Sequence, residues 1–209
     1  MLVTVANREE MTVQLTRAPW MSDAVSVLAR ELRLHHAPTA DHSHRLAALS
    51  RKVAERLHLD AMDATEVELV AVLHDVGKLT IAPSLLDWPG SLDPAQRARM
   101  RRHTIEGEQL LTRTAGLEHL GSAVRATHEA WDGSGYPDGL AGEDIPLSAR
   151  IVACADSYDA MVSDRAYRRA LSPREAGRRI HEAAGAQFDP AVAQCLLAAV
   201  GHRRTGRFD

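Results

Sequence analysis

Apolar positions along this chain recur at helical rather than alternating spacing. Val25, Leu28, Ala29 and Leu32 predict a first helix over Met21 to His36. Pro38 and Thr39 interrupt the pattern. Leu46, Leu49, Val53 and Leu57 then stripe a second helix opening at Asp41, whose carboxylate can cap its free N–H groups. After a connector at Asp60 to Asp63, the segment Thr65 to Val76 carries the apolar run Leu69-Val70-Ala71-Val72-Leu73, which predicts a buried central helix. Pro83, Pro89 and Gly90 mark an irregular stretch, and Asp93-Pro94 pairs a cap with a first position that needs no donated N–H. Leu117 to Glu129 reads as another helix, and Ile151, Val152, Ala155 and Tyr158 predict a buried face after Pro146. Ser172-Pro173 and Asp189-Pro190 open two final helices. The expected architecture is all-α: an N-terminal arm over 1–20, one helical domain over 21–200, and a flexible C-terminal tail over 201–209.

The polar residues that interrupt these stripes carry the candidate chemistry. The central apolar run ends on His74-Asp75, followed by Val76-Gly77-Lys78. Adjacent helical residues diverge by about 100°, so the Asp75 carboxylate can share a metal with His74 and still lean toward a second. Lys78 lies three residues after Asp75 and faces the same pocket if the helix persists, where a cation suits a phosphate. The alternative is a helix that simply ends in polar residues, with Gly77 as its C-cap. His42 and His44, two residues apart, cannot both point to one helical face. Arg97, Arg99, Arg101 and Arg102 form a basic run that reads as a solvated face unless one of them meets a phosphate. His103 follows, with Gly107 permitting close approach of another helix. Asp156 sits inside an apolar helix, where an acid is costly unless paired or coordinated. The stretch Trp131 to Gly139, rich in glycine and broken by Pro137, specifies a compact loop, either a plain connector or a rigid lip over a pocket next to His128.

The 209 residues suffice for one domain with a substantial core, and the formal net charge of -3 argues against an electrostatic nucleic-acid binder. There is no run of 18 apolar residues, and Arg8, Glu9, Glu10 and Arg17 interrupt any signal-like start, so no membrane association and a cytoplasmic location are expected. Cys154 and Cys195 lie in apolar helical contexts and read as core thiols. No receiver-like or sensor-like domain fits this length, so regulation is expected through a signalling-protein partner, a homodimer or expression level.

His42-Ser43-His44-Arg45-Leu46, His74-Asp75-Val76-Gly77-Lys78, His103 through Gly107, His128-Glu129, Asp132-Gly133-Ser134-Gly135-Tyr136-Pro137 and Asp156-Ser157-Tyr158-Asp159-Ala160, followed by Arg165-Ala166-Tyr167-Arg168, occur in that order. This series closely resembles the HD-GYP family, a subgroup of the HD-domain metal-dependent phosphohydrolases, over roughly Asp41 to Val200. The resemblance implies an HD-domain helical bundle with an HD-GYP loop and C-terminal helices. It implies a dinuclear transition-metal centre, Fe or Mn, held by His42, His74, Asp75, His103, His128 and Asp156, with Asp75 bridging. Asp75 and Lys78 are the implied catalytic residues, Lys78, Arg165 and Arg168 the implied substrate contacts, and Asp132, Gly133, Gly135, Tyr136 and Pro137 the implied interaction loop. The implied reaction is hydrolysis of cyclic di-GMP to pGpG and onward to GMP.

Three positions depart from the family pattern. Thr127 replaces the first member of a histidine doublet, and Pro38 stands where members with a third metal carry a glutamate, so a dinuclear centre is expected. Ala166 replaces the usual proline between Arg165 and Tyr167. Two alternatives keep part of this picture: an HD-type phosphohydrolase acting on another nucleotide or phosphate ester, or a catalytically weak cyclic-dinucleotide-binding module that contacts a signalling partner through the Gly133 to Gly139 loop.

Overall fold

The computed structural model describes residues 19–164 and 169–202. The expected arm and tail therefore fall largely outside the described residues, and Arg165, Ala166, Tyr167 and Arg168 fall outside them altogether. Among the described residues there is no strand, only an isolated bridge between Ala184 and Phe188. The order is α1 (Pro19–His35), α2 (Ala37–Arg56), α3 (Ala61–Leu73), a 3₁₀ turn (Val76–Thr80), α4 (Pro83–Leu86), α5 (Pro94–Arg101) and α6 (His103–Thr112). It continues with a 3₁₀ turn (Glu118–Leu120), α7 (Gly121–Arg125), two further 3₁₀ turns (Ala126–His128 and Gly142–Asp144), α8 (Leu147–Val162), α9 (Pro173–Glu182) and α10 (Pro190–Ala199).

α3 is the axis of the bundle. Its Ala64, Val67, Leu69, Val70, Ala71, Val72 and Leu73 are all buried, and its last stretch, Leu69 to Leu73, is apolar on every side, as a helix end enclosed by others must be. α2 and α8 pack on it, α10 packs on α2, and Leu46, Val53, Ile151, Val152, Val192 and Leu196 complete one core with it. No helix among the described residues is long and apolar enough to cross a membrane.

Three segments differ from the sequence reading. α2 starts at Ala37 rather than Asp41, because the His36 imidazole caps it by accepting from Thr39 N and Pro38 occupies a first-turn position where no N–H is needed. Asp41, now inside the helix, pairs with Arg33 at 2.7 Å. The central helix ends at Leu73, and the chain tightens into the 3₁₀ turn instead of continuing to Val76. Gly77 explains why the turn must lie where it does, since a Cβ there would overlap His103 O and sit 2.5 Å from Gly107 N. Gly77 is thus a packing contact with α6 rather than a C-cap. The segment Leu117 to Glu129 is not one helix but α7 between two 3₁₀ turns. Over one or two turns, periods of 3.0 and 3.6 residues place apolar side chains almost alike, so the pattern cannot separate them.

The helix starts at Asp93, Ser172 and Asp189 are as read. Asp93 forms a reciprocal capping box with Gln96, Ser172 Oγ accepts from Glu175 N at 3.2 Å, and Asp189 accepts from Ala191 N and Val192 N. Both cysteines are free thiols, Cys154 buried and Cys195 partly so.

Because the obstacles at Gly77 are backbone atoms that cannot rotate away, Gly77→Ala should cost about 3 kcal/mol, the upper end for overpacking. A thermal melt should show the midpoint falling by roughly 6–12 °C. A shift within 1–2 °C of the parent would show that α6 does not need to approach this closely.

Candidate metal centre and substrate cleft

Five elements deliver polar side chains to one end of α3. His42 comes from the second turn of α2, His74 and Asp75 from the end of α3, His103 from the first position of α6, His128 from the 3₁₀ turn after α7, and Asp156 and Asp159 from α8. The structure gathers the predicted donors into two groups whose atoms lie within 4.8 Å of one another: His42, His74 and Asp156, and Asp75, His103 and His128. Asp75 faces both. Its Oδ2 is 3.3 Å from His74 Nε2 and its Oδ1 is 3.5 Å from His103 Nε2.

The backbone fixes which imidazole nitrogen is offered. His74 Nδ1 donates to Ala71 O at 2.8 Å and His103 Nδ1 donates to Met100 O at 2.7 Å. Each acceptor lies three residues back, where a helix end leaves carbonyls free. Both Nε2 atoms are left as lone-pair donors aimed inward. His103 Nε2 and Asp75 Oδ1 are buried and have no hydrogen-bond partner. Such orphaned groups are rare inside proteins and call for a ligand. A nitrogen and a carboxylate oxygen, both desolvated and converging, fit a divalent cation.

Electrostatics separates the two groups. Burial lowers His103 to about 4, and burial together with the proximity of the His103 ring lowers His128 to about 3, so both rings are neutral at pH 7. Burial acts in the same sense on His42, but its hydrogen bonds to Asp156 and Asp159 prevail and raise it to about 9. His42 Nε2 is 2.8 Å from Asp156 Oδ1, and its Nδ1 is 2.7 Å from Asp159 Oδ2. Burial alone would raise Asp75, yet the electrostatic influence of its neighbours His74 and Lys78 holds it well below the usual carboxylate range. Asp156 is likewise held low, against burial, by the His42 hydrogen bond and its neighbour His74.

Lys78 meets Asp75 directly, with Nζ donating to Oδ2 at 2.7 Å. The 3₁₀ turn accounts for this, since side chains three residues apart eclipse in that geometry. Thr127 is buried and donates its hydroxyl back to Val124 O at 2.9 Å.

The loop after His128 folds over the centre. Gly133 takes a positive φ of 81°, the Tyr136–Pro137 bond is cis, and Asp132 Oδ1 accepts from Ser134 N. A side chain on Gly135 would overlap the backbone of Glu129 and Ala130, so the loop lies flat on the residues following His128. The Tyr136 ring is thereby stacked on His128, with centroids 5.1 Å apart and planes 5° from parallel. Beneath the loop lies a cavity of about 270 Å³ lined by Arg101, His128, Tyr136, Asp156 and Ser157 among others.

Three residues belong to this arrangement that the sequence reading did not select. Asp159 is one turn beyond Asp156 on α8, which was the available signal for its facing His42. The buried Glu129 ties the loop shut, its Oε1 accepting from Asp138 N at 2.7 Å and Gly139 N at 3.1 Å. Arg101, one of four arginines in the basic run, is the member that lines the cavity. Arg165 and Arg168, the other predicted substrate contacts, lie outside the described residues.

The chain is similar to known proteins over most of its length. The HD domain family matches residues 26–192. A cyclic di-GMP phosphodiesterase of Thermotoga maritima is 40% identical over 161 residues, covering 76% of this chain and 44% of that protein. A 3'3'-cGAMP-specific phosphodiesterase 2 of Vibrio cholerae is 35% identical over 172 residues, covering 81% of this chain and 33% of that protein. The chain thus spans less than half the length of these relatives. Among solved structures, Bd1817, an HDG"Y"P protein from Bdellovibrio bacteriovorus, superposes with a TM-score of 0.61 at 22% identity over 76% of this chain and 50% of that one, a likeness of fold. With the His-Asp pair at the end of α3 and the Gly-Tyr-Pro loop stacked on His128, the chain belongs to the HD-GYP family of the HD-domain superfamily.

Proposed function

We propose that this chain is a metal-dependent phosphodiesterase that hydrolyses cyclic di-GMP to the linear dinucleotide pGpG, with slower onward cleavage to GMP. The observation that carries the reading is the pair of donor groups meeting across Asp75, with Asp75 Oδ1 and His103 Nε2 buried and unpartnered. His42, His74 and Asp156 would hold one metal, His103 and His128 the other, and Asp75 would serve both. Iron or manganese suits this mixture of imidazole and carboxylate ligands. When bound, such a metal pair supplies charge neutralisation at the phosphoryl group and an acidified water for attack at phosphorus.

The chain's own residues supply the rest. His74 and His103 are held by backbone carbonyls in the tautomer that points Nε2 inward. Asp159 does the same for His42 through Nδ1, and Arg45 Nη2 approaches the same carboxylate oxygen at 3.4 Å. Lys78 keeps Asp75 ionised and stands beside the place where the scissile phosphate must come. Thr127 spends its hydroxyl on Val124 O, which supports two metals rather than three. Arg165 and Arg168 are further contacts proposed for the nucleotide. The 3'3'-cGAMP-specific relatives favour one second reading, in which the same chemistry acts on a mixed cyclic dinucleotide.

Anaerobic purification, metal analysis and chromatography of products from a panel of cyclic dinucleotides test this directly. About two metal equivalents per chain and metal-dependent release of pGpG are expected. Binding of cyclic di-GMP without any linear product, under either iron or manganese loading, would reject the enzyme and favour a regulatory module. Hydrolysis of 3'3'-cGAMP but not cyclic di-GMP would transfer the assignment to the second reading.

Asp159→Ala should weaken metal binding about 10–100-fold, the usual penalty for losing a residue that orients a ligand histidine. Competition against a chromogenic chelator reads this without any turnover assay, and an unchanged affinity would remove Asp159 from the site. Lys78→Ala should keep the metal complement while kcat/KM falls on the order of a hundredfold. Equal kinetics for metal-matched mutant and parent would rule out a role for Lys78 at the phosphate.

A further inference from the structure

The basic run on α5 is not a uniform solvated face. Arg97 Nη2 donates to Leu92 O at 3.1 Å, Arg99 is bound to Thr80 O, and Arg102 pairs with Glu106 at 3.0 Å. Arg101 is different. Its guanidinium carbon lies 4.6 Å from the centroid of the Tyr136 ring, over the ring face, and the residue lines the cavity that His128 and Asp156 also line. Among the described residues no carboxylate pairs with it.

Four other cations among the described residues are engaged with carboxylates. Lys78 is on Asp75, Arg45 on Asp159, Arg150 on Asp189 at 2.7 Å, and Arg125 on both Glu108 and Asp138. Stacking on an aromatic face orients a guanidinium without using its N–H donors, so Arg101 presents its fork already aligned and unspent. The same ring is stacked on His128, so Arg101 is linked through Tyr136 to one of the donor groups.

We propose that Arg101 binds the non-scissile phosphate of a cyclic dinucleotide and so favours two-phosphate rings over simple phosphodiesters. This rests on the phosphodiesterase reading above. A cyclic dinucleotide carries two phosphodiester anions on opposite sides of its ring. With one at the donor groups, the other must be met by a cation further along the cleft, and a planar fork matches two phosphate oxygens at once. Arg101 is a binding residue in this scheme, not a participant in bond cleavage.

The test compares Arg101→Ala and Arg101→Lys with the parent on cyclic di-GMP and on bis(p-nitrophenyl) phosphate, which has only the scissile phosphate, using metal-matched protein. Arg101→Ala should raise KM for cyclic di-GMP about 10–100-fold, with kcat changed much less. The loss on cyclic di-GMP should exceed the loss on the aryl ester by at least about tenfold. Arg101→Lys, which keeps the charge but not the fork, should fall between parent and alanine variant. Equal losses on both substrates, or a fall in kcat with KM unchanged, would overturn the proposal and show that Arg101 acts through Tyr136 on His128. If the parent binds cyclic di-GMP but releases no linear product, the phosphodiesterase reading fails separately. Titration calorimetry with cyclic di-GMP then decides Arg101: affinity reduced about tenfold or more in Arg101→Ala sustains the anion contact, and equal affinities refute it.

Discussion

Everything around the cleft depends on keeping one carboxylate charged where water cannot reach it. Asp75 is 2% exposed, and isolating a negative charge there would cost several kcal/mol. His74, Lys78 and His103 surround it and hold its proton off against the effect of burial. Each of these neighbours arrives by a different constraint. His74 is adjacent in sequence, Lys78 is brought round by the 3₁₀ turn, and His103 is delivered by α6 because Gly77 lets that helix touch the turn. A longer α3 would carry Lys78 onto a different bearing, and a larger residue at 77 would push His103 away. The end of the helix at Leu73 thus sets the bearings from which Lys78 and His103 reach the charge.

The division between what could be read from the sequence and what could not follows from the range of the interactions. The bundle, the central buried helix and the caps at Asp93, Ser172 and Asp189 are written in local periodicity and in residues that bind their own backbone. The grouping of His42, His74, Asp75, His103, His128 and Asp156 followed from an ordered series of motifs. Their division into two groups did not, because it depends on the angles between α2, α6 and α8. Helix ends were the weak point. Asp41 looked like a cap, but the His36 imidazole does that work, and histidine is not a residue that announces a helix start. Arg101 was indistinguishable from Arg97, Arg99 and Arg102 until Tyr136 was placed, since which of several neighbouring arginines faces a cleft is set by a loop more than thirty positions away.

The loop itself is held from outside the cleft. Trp131 N and Asp132 N donate to Gln187 O and Ala186 O, and Arg150 joins Asp189 while lying over the Trp131 ring. At the other end Arg125 makes a two-point contact with Asp138 and a third with Glu108. Glu129 closes the span between them. α6, α7, α8 and the α9–α10 connection thus all bear on a segment that local propensity alone would leave as a connector. Such convergence is what holds an aromatic ring parallel to the His128 imidazole rather than letting it turn with the solvent.

That arrangement separates two tasks that a smaller site would have to combine. His74 and His103 are fixed by helix ends and by backbone carbonyls at Ala71 and Met100, none of which lies on the loop, whereas His128 is tied to the loop through Tyr136 N. The wall of the cavity, by contrast, is made by Tyr136 and by the side chain resting on it. A change at Arg101 can therefore alter what the cleft admits without disturbing the tautomers of His74 and His103, whereas a change at Asp159 acts first on His42. On the proposed reading, relatives that share the donor set can then differ in the cyclic dinucleotide they prefer through side chains on the wall alone, because neither the compensation of Asp75 nor the packing of α3 constrains those positions.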